Sequence, residues 1–177
     1  MKDIKNAFKL LENLMESNPN FKKLVNDGII SGKVRLFNEE EFSKIKEQNY
    51  IAPRKELEEE IPSFYDLFLL GYNIGNCIQT SRQLSYSYRN VDIVSGVLPL
   101  LKGSLHAEKE GGHGWLEVDG KIIDTSLMLI IDKSLEKDFG YIEERRLRYV
   151  DLISDDMYLA RRQFVLDKNI KSKKSSK

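Results

Sequence analysis

Cysteine and histidine are almost missing from this chain of 177 residues, which has one cysteine and two histidines. A single cysteine excludes an internal disulfide and any Cys-x-x-Cys metal or redox motif, and it fits a reducing compartment. The chain also has no internal repeat and no glycine-rich loop for binding phosphate. The sequence therefore predicts no cofactor and no resident metal.

Excess charge and long apolar runs are missing as well. Lysine plus arginine and aspartate plus glutamate both number 28, so net charge gives no argument for nucleic acid or an anionic membrane as partner. No apolar run is long enough to span a membrane, and the first residues lack the apolar segment of a signal peptide. We expect a cytoplasmic protein with no nucleic-acid and no membrane partner.

The single cysteine, Cys77, follows a loop rich in glycine and asparagine and begins a segment with helical character. The first turn of a helix has unpaired N–H groups and a partial positive charge, and both favour a thiolate. A cysteine in that position is better placed to react than to fill a core. A lone free cysteine is nevertheless more often a small buried hydrophobe, so the choice depends on the sequence downstream.

Residues 111–126 alternate apolar and polar residues on both sides of Asp119-Gly120. This dipeptide favours a two-residue turn between antiparallel strands, so the segment predicts a β-hairpin. Val118 then faces Lys121, and the register of the two strands follows outward from that pair. A three-residue loop would change which residues of the two strands share a face.

The same register brings a histidine and a carboxylate together. Trp115 lies opposite Asp124, which makes His113 and Asp124 diagonal neighbours on one face of the hairpin. A carboxylate in this position accepts the imidazole N–H, fixes the tautomer and leaves the other ring nitrogen for a thiol. The chain therefore offers a nucleophile, a base and an orienting acid in the order Cys77, His113, Asp124.

The motif Gly75-Asn-Cys77-x-x-x-Ser81, the strand-like residues 91–97 and the segment His113-x-Trp115-x-Glu-Val-Asp-Gly with Ile123-Asp124 recur in one order. Over residues 62–130 they resemble the core of the transglutaminase-like cysteine enzymes, which belong to the papain-like group. The resemblance implies an α+β fold in which the nucleophile helix packs on an antiparallel sheet. It also implies that Cys77 is the nucleophile, His113 the general base and acid, and Asp124 the orienting carboxylate.

The resemblance implies acyl transfer from an amide, ester or thioester carbonyl, by a peptidase, an amidase or a transglutaminase-like hydrolase. A protein, a peptide or a small amide is the expected substrate, with water or an amine as acceptor. The backbone N–H of Cys77 and the side chain of Asn76 or Asn73 are candidate donors to the oxyanion. Tyr72, Gly112 and Trp115 are candidates for the lining of a substrate groove. The loop between the His and Asp strands is shorter than in many members of the family.

Two other readings stay open at this point. Cys77, His106, His113 and Asp124 together offer four zinc ligands, although their spacing matches no zinc-finger pattern. Alternatively, the chain keeps the papain-like scaffold as a binding module without turnover. The reactivity of the thiol distinguishes the second reading from an enzyme.

We expect one transglutaminase-like domain over residues 1–167, with a helical part at 1–61, the catalytic core at 62–152 and a helix at 154–167. The tail, residues 168–177, has five lysines and no acid and is expected to be a disordered basic end. In the helical part, periodicity predicts a helix over residues 3–17 and a short second one from Pro19 through Val25. Residues 29–37 are β-prone, and Asn38 is expected to cap the next helix. Residues 91–101 are expected to form a strand of the central sheet, and residues 140–152 show β-like alternation that includes Tyr141. The sequence assigns no oligomeric state.

Overall fold

The centre of the structure is an open sheet of six antiparallel strands, seen in a computed structural model that describes residues 4–48, 77–102 and 112–152. Its order is β1-β5-β4-β3-β2-β6, and every neighbouring pair is antiparallel. The strands are β1 Val34–Leu36, β2 Val91–Val97, β3 Gly112–Val118, β4 Lys121–Asp124, β5 Leu129–Asp132 and β6 Ile142–Leu147. The α+β class and the antiparallel sheet predicted from the sequence are confirmed.

Six α-helices accompany the sheet in the described ranges. They are α1 Lys9–Ser17, α2 Pro19–Ile30, α3 Glu39–Gln48, α4 Cys77–Ser85, α5 Glu136–Phe139 and α6 Tyr149–Leu152. Short 3-10 helices cover Ile4–Phe8, Pro99–Leu101 and Lys133–Leu135. None of the helices that the structure describes is both long and apolar enough to cross a membrane.

Both faces of the sheet are covered by helices, so the strands are largely apolar on either side. One buried cluster joins Leu116 and Ile123 of the sheet to Phe42 of α3 and Leu84 of α4. The other joins the opposite face to α1 and α2 and includes Leu11, Phe21, Val25, Val94, Trp115 and Ile122. The N-terminal helices therefore share the core of the sheet.

Most sequence-predicted elements of the N-terminal part are present, with one error. Asn38 caps α3 as expected: its Oδ1 accepts from the Glu40 N–H at 2.9 Å, and Glu41 Oε2 accepts from the Asn38 N–H at 3.0 Å. The second helix was expected to end at Val25 and the β-prone stretch to begin at Ile29, but α2 continues through Ile30. In the turn after the helix, Gly32 has a φ of 71°, and the Lys33 N–H donates to the Gly28 carbonyl.

Two further strand expectations were too long. Residues 91–101 were expected to form one strand, but β2 ends at Val97 and a 3-10 helix follows at Pro99–Leu101. Residues 140–152 were expected to be β-like throughout, but α6 begins at Tyr149. Proline favours a helical first turn over a ladder position, which explains the first case. The expected helix 154–167 and the tail 168–177 lie outside the described residues.

The helix α4 is held against the sheet at its first turn. A Cβ added to Gly114 of β3 would come within 2.6 Å of Ile78 Cγ1 and 2.9 Å of Ile78 Cα. Ser81 Oγ donates a hydrogen bond of 3.3 Å to the Gly114 carbonyl. Because Gly114 has no side chain, the start of α4 lies directly on β3, one residue from His113 along that strand.

Candidate active site

The hairpin of β3 and β4 brings His113 and Asp124 into contact. Asp119 and Gly120 have φ of 47° and 71°, as a two-residue turn with two positive φ angles requires. Val118 pairs with Lys121 as the sequence predicted. His113 Nε2 lies 2.7 Å from Asp124 Oδ2, and both side chains are buried. The predicted register and the predicted contact of imidazole and carboxylate are therefore present.

Asp124 accepts four hydrogen bonds, two on each oxygen. Its Oδ1 accepts from the backbone N–H groups of Ser126 and Leu127, both at 2.8 Å, and so closes the turn that leads to β5. Its Oδ2 accepts from Tyr141 Oη at 2.6 Å and contacts His113. Burial alone raises the pKa of Asp124, but the charge and hydrogen bond of His113, followed by Tyr141 and Leu127, hold that pKa below its usual value.

Cys77 is the first residue of α4 and is buried. Its thiol is near enough to His113 to contribute to the raised pKa of that imidazole, whose Nε2 contacts Asp124. Asp124 occupies Nε2 and leaves Nδ1 as the ring nitrogen available to a thiol. The thiol, the imidazole and the carboxylate are each contributed by a different element of the fold.

The electrostatics of His113 favour its charged form. Burial opposes a charged imidazole and lowers the pKa, but the charge and hydrogen bond of Asp124, with a further contribution from Cys77, raise the pKa of His113 to about 10. His113 is thus an imidazolium at neutral pH.

Aromatic rings enclose the imidazole. The ring of Trp115 is stacked beside His113 at a centroid distance of 6.0 Å, and that of Tyr141 lies at 6.3 Å. Trp115 is fully buried, whereas Gly112, at the start of β3, is exposed. The rings keep water from one side of the imidazole and restrict its rotation. The assignment of Trp115 and Gly112 to a substrate groove stays a prediction.

Several predicted site residues lie outside the described residues. They are the oxyanion candidates Asn73 and Asn76, the groove candidate Tyr72, and His106 of the zinc alternative. Their roles stay predictions. The surroundings of Asp124 argue against its role as a zinc ligand. Its lone pairs are already used by four hydrogen bonds, and a metal would have to displace one of them.

Sequence reasoning missed Tyr141, whose hydroxyl completes the contacts of Asp124. It had been noted only as part of a β-like alternation near the C-terminal end of the sheet. No local signal connects it to Asp124, because 17 positions separate the two residues and a strand and two short helices lie between them. The turn role of Asp124 had a signal, the sequence Asp124-Thr-Ser126 after an apolar strand.

A second carboxylate, Glu117, lies on the same strand as His113 and has different partners. It forms ion pairs with Lys133 and with Arg146, the latter at 2.7 Å, and accepts a hydrogen bond of 3.4 Å from Trp115 Nε1. Glu117 also groups with Glu136 and Glu143 closely enough to suggest a metal among the described residues. Lysine and arginine already neutralise Glu117, so this group does not indicate a metal site.

Comparison of the chain with protein-family models, with curated proteins and with solved structures gives no match. The functional assignment therefore depends on the site itself and on the motifs of the sequence.

Proposed function

We propose that the protein is a cysteine-dependent acyl-transfer enzyme with a papain/transglutaminase-like core. One observation supports this above all others: His113 Nε2 lies 2.7 Å from the buried carboxylate of Asp124, and the thiol of Cys77 contributes to the raised pKa of the same imidazole. A buried cysteine that only fills space has no need of such an imidazole. The substrate is an amide, ester or thioester, in a protein, a peptide or a small molecule.

In this mechanism the Cys77 thiolate attacks the carbonyl carbon, and the π electrons of the C=O bond move to oxygen. The oxyanion then re-forms the C=O bond as the bond to the leaving group breaks, and the imidazolium of His113 donates its Nδ1 proton to the departing amine, alcohol or thiol, which leaves a thioester on Cys77. His113, now neutral, takes a proton from water or an amine as that acceptor attacks the thioester. The thiolate leaves, and the imidazolium is restored.

Asp124 does not carry a proton in this cycle. Its carboxylate holds the Nε2 proton of His113, fixes the tautomer and stabilises the imidazolium. The oxyanion needs preorganised donors, for which the N–H of Cys77, at the start of α4, and the side chain of Asn73 or Asn76 are our candidates. Water as acceptor makes the enzyme a peptidase or amidase, and an amine makes it a transglutaminase-like transferase.

Alkylation of Cys77 by iodoacetamide at neutral pH tests the proposal. We expect the folded protein to react faster than the denatured chain, because only the folded state places the thiol beside the His113 imidazolium. His113→Gln should remove most of this advantage, and Cys77→Ala should show no labelling, since Cys77 is the only cysteine. A thiol that the fold protects from the reagent contradicts the proposal and supports the reading as a binding module.

A substrate screen completes the test. Fluorogenic peptide amides and esters report hydrolysis, and incorporation of a labelled amine into a protein reports transfer. Turnover should be lost in Cys77→Ala with the far-ultraviolet circular dichroism of the parent retained. Equal turnover by this variant and the parent would show that the activity does not depend on Cys77.

A further inference from the structure

Tyr141 is fixed at the site by the end of α5. Gly140 adopts a φ of 82°, a left-handed conformation that glycine reaches without strain. This turn lets the N–H groups of Gly140 and Tyr141 both bond to the Glu136 carbonyl at 3.1 Å. Phe139 and Tyr141 then point into the core, where Phe139 packs on Phe21 of α2. The position of the phenol is thus set by backbone geometry and by packing.

The hydroxyl of Tyr141 bonds to the oxygen of Asp124 that His113 also uses. The Tyr141 Oη lies 2.6 Å and His113 Nε2 2.7 Å from Asp124 Oδ2. Burial, followed by the negative charge of Asp124, raises the pKa of Tyr141 well above its ordinary value, so the phenol stays protonated and donates. Two donors therefore share the negative charge of one carboxylate oxygen.

We propose that Tyr141 is a positioning residue of the active site, which holds the Asp124 carboxylate in place and moderates the charge that it presents to His113. The catalytic meaning of this role rests on the function proposed above. A hydrogen bond from a phenol withdraws charge from a carboxylate, and a weaker carboxylate holds an imidazolium proton less tightly. Tyr141 thereby keeps His113 acidic enough to protonate a leaving group.

The other groups near His113 do not reduce the charge that Asp124 presents to the imidazole. Among the residues that the structure describes, the titratable groups near the imidazole are the thiol of Cys77 from α4, the carboxylate of Asp124 from β4 and the phenol of Tyr141 ahead of β6. Trp115, on β3 itself, presents an uncharged ring. Among these neighbours, only the Tyr141 hydroxyl acts on the charge of Asp124 without taking part in proton transfer.

The titration of His113, followed by NMR in the full chain, tests the proposal. Cys77→Ala is the background, so that no thiol titrates beside the imidazole, and His106→Gln removes the second histidine signal. In this background Tyr141→Phe should raise the pKa of His113 by about 0.5–1 unit, because Asp124 Oδ2 loses one donor. An unchanged or lowered pKa overturns the proposal.

A matched control and a second variant separate this effect from general disruption. Tyr86→Phe removes the hydroxyl of another buried tyrosine, in the cluster on the opposite face of the sheet, and should leave the pKa of His113 unchanged. Replacement of Tyr141 by 3-fluorotyrosine keeps the hydroxyl as a stronger donor and should lower the pKa. Opposite shifts in the two Tyr141 variants support the proposal, whereas shifts of the same sign, or an equal shift in Tyr86→Phe, overturn it.

The outcome is independent of cysteine chemistry, because these measurements use a chain without Cys77. If Cys77 proves unreactive while His113 shifts as expected, the acyl-transfer function fails and the coupling of Tyr141 to His113 stands. If Cys77 reacts as expected while His113 does not shift, the function stands and the role of Tyr141 fails.

Discussion

Asp124 and Glu117 are two buried carboxylates on one face of the same hairpin, and their surroundings differ in one respect. Glu117 is neutralised by Lys133 and Arg146, which carry their charge throughout the neutral range. Asp124 contacts no lysine or arginine among the described residues, and its only charged partner is His113. Its other donors are a phenol and two backbone N–H groups.

The comparison shows that burial alone does not identify a reactive carboxylate. Fixed cations balance Glu117, so its ion pairs only bind elements together, with Arg146 linking Glu117 to Asp92 across β3, β2 and β6. The negative charge of Asp124 is balanced by His113, which can lose its proton. Loss of that proton changes the net charge of the pair. A titratable partner, His113, is therefore present beside Asp124, whereas the cations beside Glu117 stay charged at neutral pH.

The largest expected effect comes from exchanging each carboxylate for its amide. Asp124→Asn keeps an oxygen for the turn bonds to Ser126 and Leu127, so the fold should persist. The amide nitrogen then donates to Nε2 of His113. The neutral imidazole therefore carries its proton on Nδ1, the nitrogen that the mechanism needs free to accept a proton. We predict a loss of kcat/KM of about 10- to 1,000-fold, less than in serine enzymes because a thiolate is the better nucleophile.

Glu117→Gln is the matched control for this substitution. It should leave kcat/KM within about threefold of the parent and lower the free energy of unfolding by about 1–2 kcal/mol, because Lys133 and Arg146 lose a charged partner. Equal kcat/KM in Asp124→Asn and the parent would remove Asp124 from the site. A large loss in Glu117→Gln would show that the comparison assigns the two carboxylates wrongly.

A smaller effect is expected when the thiol is moved and both carboxylates are kept. In Gly114→Ala the new methyl group would overlap Ile78 Cγ1 and the backbone of α4, so the start of the helix must move away from β3. Cys77 then loses its contact with His113. We predict that alkylation of Cys77 slows by about 10- to 100-fold, as expected for a displacement near 1 Å.

Gly28→Ala is the steric control for Gly114→Ala. A Cβ at Gly28 would come within 2.3 Å of Val34 Cγ2, a comparable overlap between α2 and β1. It should lower the melting temperature and leave the alkylation rate per folded molecule unchanged. If both variants slow alkylation to the same extent, general loosening of the core is the cause, and the close approach of α4 to β3 has no special role.

The smallest effect expected is a dependence of stability on alkaline pH. The pKa of His113 is raised in the folded protein, from an ordinary 6.5 to about 10, so its contact with Asp124 stabilises the fold fully below pH 6.5. That contribution is lost as the pH rises through about 10. We expect the melting temperature to fall over this window as the imidazolium pair is lost.

The double variant His113→Gln/Asp124→Asn should lack this part of the alkaline decline. Glu117→Gln should retain it, because His113 and Asp124 are unchanged in that variant. The three proteins can be compared by thermal denaturation at matched ionic strength. A decline of the same size in the double variant would assign it to other groups.

The sequence predicted the part of the site that depends on short-range rules. Asp119-Gly120 determines the turn, and the turn determines which residues of the two strands share a face, so the contact of His113 with Asp124 followed. The cap of α3 at Asn38 followed from the same kind of rule. The bounds of strands were less accurate, since Ile29 and Ile30 are β-branched and are nevertheless helical in α2.

The contacts that depend on tertiary packing were not predictable. Tyr141 reaches Asp124 only because α5 and its terminal glycine direct the chain inward, and Arg146 reaches Glu117 only because β6 lies beside β2. No periodicity in the sequence specifies either strand order or the path between strands. The distinction between Asp124 and Glu117 was therefore invisible in the sequence, where both appear on the same predicted face.

The hairpin also affects the order in which the site can assemble. The bond between His113 and Asp124 closes a loop of 11 positions, whereas the bond between Ser81 and Gly114, which fixes α4 on β3, spans 33. Closing the longer loop costs about 1 kcal/mol more in chain entropy. The pair of His113 and Asp124 is thus a product of local folding, and the helix that begins at Cys77 joins it through a long-range contact. A nascent chain can form the imidazole–carboxylate pair before the helix that carries the thiol has docked.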